Sequence, residues 1–128
     1  MEPPATIRDF VDAVSSADGD RAGSLVTQDA VFQIPGPRTL PSGEAGANAF
    51  AVQHAESDGR KPSVELLDAE QKTDDRWVAS LRFSAREVAS DELQFELTVG
   101  GVFTLDGDRI SALQAFPSYE EAVAAASD

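Results

Sequence analysis

The chain has 128 residues, no cysteine, and 23 Asp and Glu against 10 Lys and Arg, for a formal net charge of −13. That length predicts a single domain over residues 1–128, able to bury roughly two thirds of its unfolded surface without staples, and the missing thiols exclude disulfides, cysteine nucleophiles and thiolate zinc sites. A field this negative repels phosphate backbones and anionic lipid surfaces, so neither nucleic acid nor membrane is an expected partner.

Lys61 and Lys72 are the only lysines. Two settings account for an acidic, lysine-poor composition: an ordinary highly soluble protein, and a high-salt cytoplasm in which dense salt screens self-repulsion. The start, Met-Glu-Pro-Pro-Ala-Thr, has no basic n-region. No stretch approaches the ~18 apolar residues of a membrane span, and a soluble, cytoplasmic protein is the expectation.

In chain order, a first helix is predicted from near Pro4 to Ser16, with Thr6 as a cap and Ile7, Phe10, Val11 and Val14 on one apolar stripe. Asp18-Gly19-Asp20 breaks the chain, and a second helix follows from Arg21 to Gln28 with Ala22, Leu25 and Val26 inward. Val31 to Ile34 reads as a short strand. Pro35, Pro37 and Pro41 then impose a loop, because proline fixes φ and lacks a backbone donor. A third helix opens at Ser42 or Gly43, carries Glu44 in its first turn and ends by Gly59, with Ala47, Phe50, Ala51 and His54 inward.

From Val64 the periodicity changes to strands: Val64 to Gln71, a polar turn at Thr73-Asp74-Asp75, and Trp77 to Val88. Leu93 to Phe116 reads as two long strands joined at Asp106-Gly107, a dipeptide suited to a tight hairpin. Leu93, Phe95, Leu97 and Val99 alternate with Gln94, Glu96 and Thr98, the pattern of a sheet with one buried and one wet face. Gly100-Gly101 suggests a bulge or bend that lets the sheet curl. Ser118-Tyr119-Glu120-Glu121 matches a capping box opening a terminal helix through Ala126.

The order helix, helix, strand, helix, four antiparallel strands, helix carries several short motifs. Phe10-Val11-Asp12-Ala13 lies on helix one, Asp29-Ala30-Val31-Phe32 after helix two, Ser42-Gly43 at helix three, and Gly101-Val102-Phe103-Thr104 near the end. Together they resemble the NTF2-like superfamily, and within it the SnoaL-like proteins, over nearly the whole chain. The resemblance implies an α+β fold: a conical, curved, mostly antiparallel sheet around a deep pocket, wrapped by three N-terminal helices and followed by a short C-terminal helix. It also implies a homodimer packed through the outer sheet face. Members include ketosteroid isomerases, limonene-epoxide hydrolases, polyketide cyclases and non-catalytic binders.

Catalysis does not carry over with the shape. The isomerase reaction needs a carboxylate base and an oxyanion hole built from a tyrosine and a protonated aspartic acid. Matched to that pattern, the tyrosine position is Phe10, the base position Ile34 and the aspartic acid position Gly101. The epoxide-hydrolase pattern of two aspartates and an arginine keeps only the arginine, at Arg82; its aspartates fall on Ser84 and Ala115, and its water-holding pair on Phe32 and Ile34. The cyclase pattern finds Leu113, Ala115 and Phe116 where an acid would stand.

His54, Arg82, Ser84 and Tyr119 remain as polar candidates. His54 is the sole histidine and the best general base, although a histidine near a helix C-terminus is also stabilised there by the dipole alone. Strict alternation with Trp77, Ala79, Leu81, Phe83 and Ala85 puts Arg82 on the outer face, facing a dimer partner together with Arg86. The family match puts it inside, and a bulge would reconcile the two. Asp18-x-Asp20 and Asp106-x-Asp108 lack the twelve-residue loop of a calcium site and read as turns.

The resulting expectation is a pocket lined by Phe10, Val14, Phe32, Ile34, Phe50, His54, Val99 and Gly101 that takes a small, mostly apolar molecule, with no cofactor and no metal. Two alternatives stand beside it. One is an enzyme of isomerase, cyclase or hydrolase type acting on a polyketide-like or terpenoid substrate, with His54 as base and Arg82 or Ser84 steadying negative charge. The other is a non-catalytic dimeric scaffold whose pocket is filled by side chains.

Overall fold

In the structure, a computed structural model, residues 4–16, 18–34, 40–52 and 60–126 are described. Helix α1 (Ala5–Ser15) and helix α2 (Gly19–Ser24) precede strand β1 (Val26–Gln33) and helix α3 (Gly43–Val52). Strands β2 (Arg60–Gln71), β3 (Arg76–Glu87), β4 (Leu93–Asp106) and β5 (Arg109–Phe116) follow, and helix α4 (Tyr119–Ala126) closes the order. The five strands form one sheet in the order β1-β5-β4-β3-β2, with β1 parallel to β5 and every other neighbour antiparallel. It is an α+β fold, the class that the resemblance implies, with an unclosed, mixed and mostly antiparallel sheet.

The two faces of the sheet are covered differently. Ile7, Phe10, Val11 and Val14 of α1 join Phe32, Trp77, Ala79, Leu81, Phe103, Ile110 and Leu113 in the main core, which defines the inner face. On the outer face, Ala122 and Ala126 of α4 pack on Val78 and Val102 in a second, smaller cluster. Alternate residues of one strand therefore serve two cores. The predicted apolar stripe of α1 is the buried one, because side chains three and four residues apart share a helix face.

Several local expectations shift. The second helix starts earlier and ends sooner than Arg21 to Gln28, and Val26 already belongs to β1. The Asp18 carboxylate accepts the Arg21 amide at 3.1 Å and so begins the helix, while the Ile110 amide donates to the Leu25 carbonyl at 2.9 Å and draws the following residues into the sheet. Thr6 is not the α1 cap: Pro4 holds that position, and the Thr6 hydroxyl donates to the Asp108 carbonyl at 2.8 Å, tying α1 to the β4–β5 turn. Asp106 pairs with Arg109, so the turn residues are Gly107 and Asp108, with Gly107 at φ +66.

Gly100 and Gly101 stay in continuous register with Ser80 and Ala79, so the pair makes no bulge. Gly100 instead admits α4: a Cβ there would stand 2.5 Å from the Ser118 carbonyl oxygen and 2.7 Å from the Ala122 Cβ. The Ser118 hydroxyl accepts the Glu121 amide at 3.2 Å and donates to the Glu121 carboxylate at 3.2 Å, so the capping sequence does open α4.

Candidate functional site

Burial along the inner face falls steadily from one end to the other. Cross-strand pairs Trp77 with Phe103, Ala79 with Gly101, Leu81 with Val99 and Phe83 with Leu97 share this face, since directly opposed residues project to one side. Phe103 is 1% exposed, Val99 and Phe83 are half-buried, and Leu97 is 47% exposed. The alternation predicts a buried Leu93, Leu97 and Val99, yet Leu93 and Leu97 remain open. Helix α1 explains the gradient. It begins at the β4–β5 turn, where Thr6 is anchored, and ends beside β2, where the Ser15 hydroxyl accepts the Val64 amide at 3.0 Å. Val64 pairs with Phe83, so the cover of α1 stops at the level of the Phe83–Leu97 pair.

The closed end is aromatic. The rings of Phe10 and Phe32 stack with centroids 6.3 Å apart and an interplanar angle of 18°, and Phe103 meets Phe10 edge-on at 6.2 Å and 77°. Phe10, Val14, Phe32 and Gly101 are buried. Ile34 and Val99 are partly buried against the same cluster, as are Leu40 and Phe83. His54 and the Phe50 side chain lie outside the described residues. Among the described residues, Ile34, Leu40, Phe83 and Val99 are partly buried against that core, and Leu97 is 47% exposed. Of these, Leu40, Phe83 and Leu97 are not among the lining residues expected from the sequence; the Leu93-to-Val99 alternation carried the signal for Leu97, but nothing in it told a covered end of the face from an open one.

Arg82 lies on the outer face. Its register with Glu65 on β2 and Thr98 on β4 runs without interruption, so no bulge turns it inward. Its guanidinium reaches the Glu65 carboxylate at 3.4 Å and lies 3.8 Å from that of Glu96, with the Arg82 side chain 39% exposed. Ser84 is also outward and shares a 2.8 Å hydrogen bond with Ser63. Neither points toward Phe10 or Val99, so two of the three sequence-proposed catalytic residues, Arg82 and Ser84, do not reach the inner face. Tyr119 is on the outer side as well, donating from its hydroxyl to the Glu70 carboxylate at 3.4 Å. Burial first, and then the negative charge of Glu70, push the Tyr119 hydroxyl pKa above its ordinary value, which keeps the phenol protonated.

Between α2 and α3 lies an open groove of about 620 Å³ lined by Gly19, Asp20, Gly23, Ser24, Glu44, Ala45 and Asn48. Among the described residues no group of three or more His, Cys, Asp or Glu side chains is placed to hold a metal ion. No described helix is long and apolar enough to cross a membrane.

The sequence profile of the SnoaL-like domain matches residues 7–113, which takes in α1 through most of β5. The chain belongs to the SnoaL-like domain family. No curated protein matches the sequence. Solved structures with the same SnoaL-like architecture include a Catenulispora acidiphila protein with a ketosteroid isomerase-like fold, in complex with trimethylamine. It is 13% identical, with a TM-score of 0.73, over 96% of this chain and 92% of that one. An LEH-like epoxide hydrolase from M. tuberculosis superposes with a TM-score of 0.68 at 14% identity, over 94% of this chain and 85% of its own. A putative polyketide cyclase from Sinorhizobium meliloti gives a TM-score of 0.68 at 22% identity, over 88% and 94%. These likenesses are of fold.

Proposed function

We propose that this SnoaL-like chain binds a small, mostly apolar molecule at the open end of the inner sheet face, against Ile34, Leu40, Phe83, Leu97 and Val99. The observation that carries the reading is the Phe83–Leu97 pair: large apolar side chains on the core face of the sheet, with Leu97 about half exposed where the cover of α1 stops. None of the five surface residues has a polar side chain, so affinity would come from buried apolar area at ~25 cal/mol per Å², with a polar end of the ligand left toward water. A neighbour of the same fold is in complex with trimethylamine, itself small and methyl-rich.

The enzyme alternative draws no support from Arg82 and Ser84, which face the opposite side of the sheet. The scaffold alternative draws on the sealed aromatic packing of Phe10, Phe32 and Phe103. A second copy meeting the outer face around Glu65, Arg82 and Glu96, and a cytoplasmic setting, belong to the same proposal.

Thermal denaturation with monocyclic terpene probes tests the binding reading. A ligand at about 100 times its dissociation constant should add ~2.7 kcal/mol of stability, a shift of several degrees. Leu97→Glu should remove the shift, and Leu67→Glu, at an exposed leucine of the β2 edge, should leave it. Absence of any shift with the unaltered chain would turn the reading to the scaffold.

A further inference from the structure

We infer that α4 is a removable cover on the outer sheet face, and that a second copy of this chain gains the apolar centre of that face only when α4 leaves it; this rests on the second-copy part of the reading above, not on its ligand part. Val78 of β3 and Val102 of β4 pair across the strands and are 0% and 3% exposed. The buried residues packed on them are Ala122 and Ala126 of α4, with Phe116, Tyr119 and Val123 at the margin. The main core on the other face has none of these residues, so α4 lifts away without opening it.

The strand register sets out what lies beneath and beside the helix. Gly100 pairs with Phe116, next to Val102, and toward the β1 edge the same face carries Val31, opposite Ala112 and 49% exposed. On the other side of Gly100 the face turns polar: Arg82 lies 3.4 Å from Glu65 and 3.8 Å from Glu96, and Ser63 is bonded to Ser84. With α4 docked, a second copy meets this charged strip, and the centres of stable interfaces are depleted of charge. With α4 away, Val78, Val102 and Phe116 join it as an apolar band on a sheet face, the surface by which two sheets pack. A second copy fits on two counts. It carries the same band, and the strip beside the band holds both signs of charge, so Arg82 of one copy can face Glu65 or Glu96 of the other.

The helix suits removal. Its eight residues are too few to hold helical structure alone, so it depends on the Ser118 cap and on the Ala122 and Ala126 contacts. Among the described residues, its side-chain hydrogen bond to the sheet is the exposed one from Tyr119 to Glu70 at 3.4 Å. Terminal elements with few buried contacts open without global unfolding.

Sedimentation of the full chain and its variants tests the cover, in about 0.5 M NaCl so that the net charge is screened. Ala122→Glu puts a carboxylate at a fully buried position of α4 and should release the helix, seen as faster hydrogen exchange of the α4 amides with the fluorescence of the buried Trp77 unchanged. That variant should dimerise at least about tenfold more tightly than the parent. Gly100→Ala, which crowds α4 from the sheet side, should act in the same direction. Adding Val102→Glu to Ala122→Glu should return the chain to the parent's weak association or to a monomer. A parent that already dimerises as tightly as both α4 variants would overturn the cover and leave the second copy standing. No association by any variant would overturn both, and open-ended aggregation that Val102→Glu does not prevent would overturn the band as the contact.

Discussion

Gly100 and Gly101 are chain neighbours with opposite tolerances. At Gly100 the nearest atoms to an added Cβ are the Ser118 carbonyl oxygen, the Ala122 Cβ and the Tyr119 Cα, all within 2.8 Å and all on or next to backbone. Gly100→Ala should therefore force α4 off the outer face or shift it, at a cost of ~1–3 kcal/mol typical of overpacking. At Gly101 the corresponding neighbours are side-chain carbons at 3.6 Å, ordinary contact. Gly101→Ala should be neutral or stabilise by ~0.5–1 kcal/mol, since alanine restricts the unfolded chain more than glycine does. Urea midpoints of the two variants check this, and equal destabilisation would show that the glycine pair acts as a bend after all. From sequence the two glycines were one feature, because the helix that distinguishes them arrives from residues far along the chain.

Strand β2 forms one edge of the sheet, and several of its outward amide positions are guarded. Pro62 has no amide hydrogen to offer, the Val64 amide is taken by the Ser15 hydroxyl at 3.0 Å, and the Ala69 amide by the Asp68 carboxylate at 2.9 Å. The register shift between Leu66 and Asp68 adds a bulge. Proline, bulges and charge are the devices by which edges avoid pairing with another chain. Ser15→Ala combined with Asp68→Ala should cost ~1 kcal/mol per lost hydrogen bond and raise aggregation on mild heating, read by light scattering. A double variant that stays as soluble as the parent would mean that the bulge and Pro62 protect the edge alone. At this scale the strand was legible from Val64 to Gln71, but its start at Arg60, with Pro62 inside it, and the role of Ser15 were not, since the hydroxyl meets β2 only after α1 has docked.

For the molecule as a whole, a net charge of −13 outweighs the few ion pairs present. Those described are Arg21 with Asp9, Lys72 with Glu70, and Arg82 with Glu65 and Glu96, all between partly or largely exposed groups that contribute little individually. Self-repulsion among unpaired carboxylates should weaken the compact state at low ionic strength, so the melting temperature should rise as NaCl goes from millimolar to molar levels. A flat or falling melting temperature would mark an ordinary acidic surface whose charges are already far enough apart.

What the residues decide by themselves is local and periodic. The stripe Ile7, Phe10, Val11, Val14 makes α1 amphipathic, alternation from Trp77 and Leu93 makes long strands, Ser118 opens α4, and that order of elements is the one observed. What only the tertiary structure decides is where each periodic face ends up. Alternation cannot tell which half of the row from Leu93 to Phe103 a helix will cover; that depends on α1 being anchored at Asp108 and ending at Val64. Phe10 and Phe32, from α1 and β1, meet each other, and Phe10 meets Phe103 of β4, only once the helix has docked on the sheet, a contact between distant stretches that no local periodicity announces.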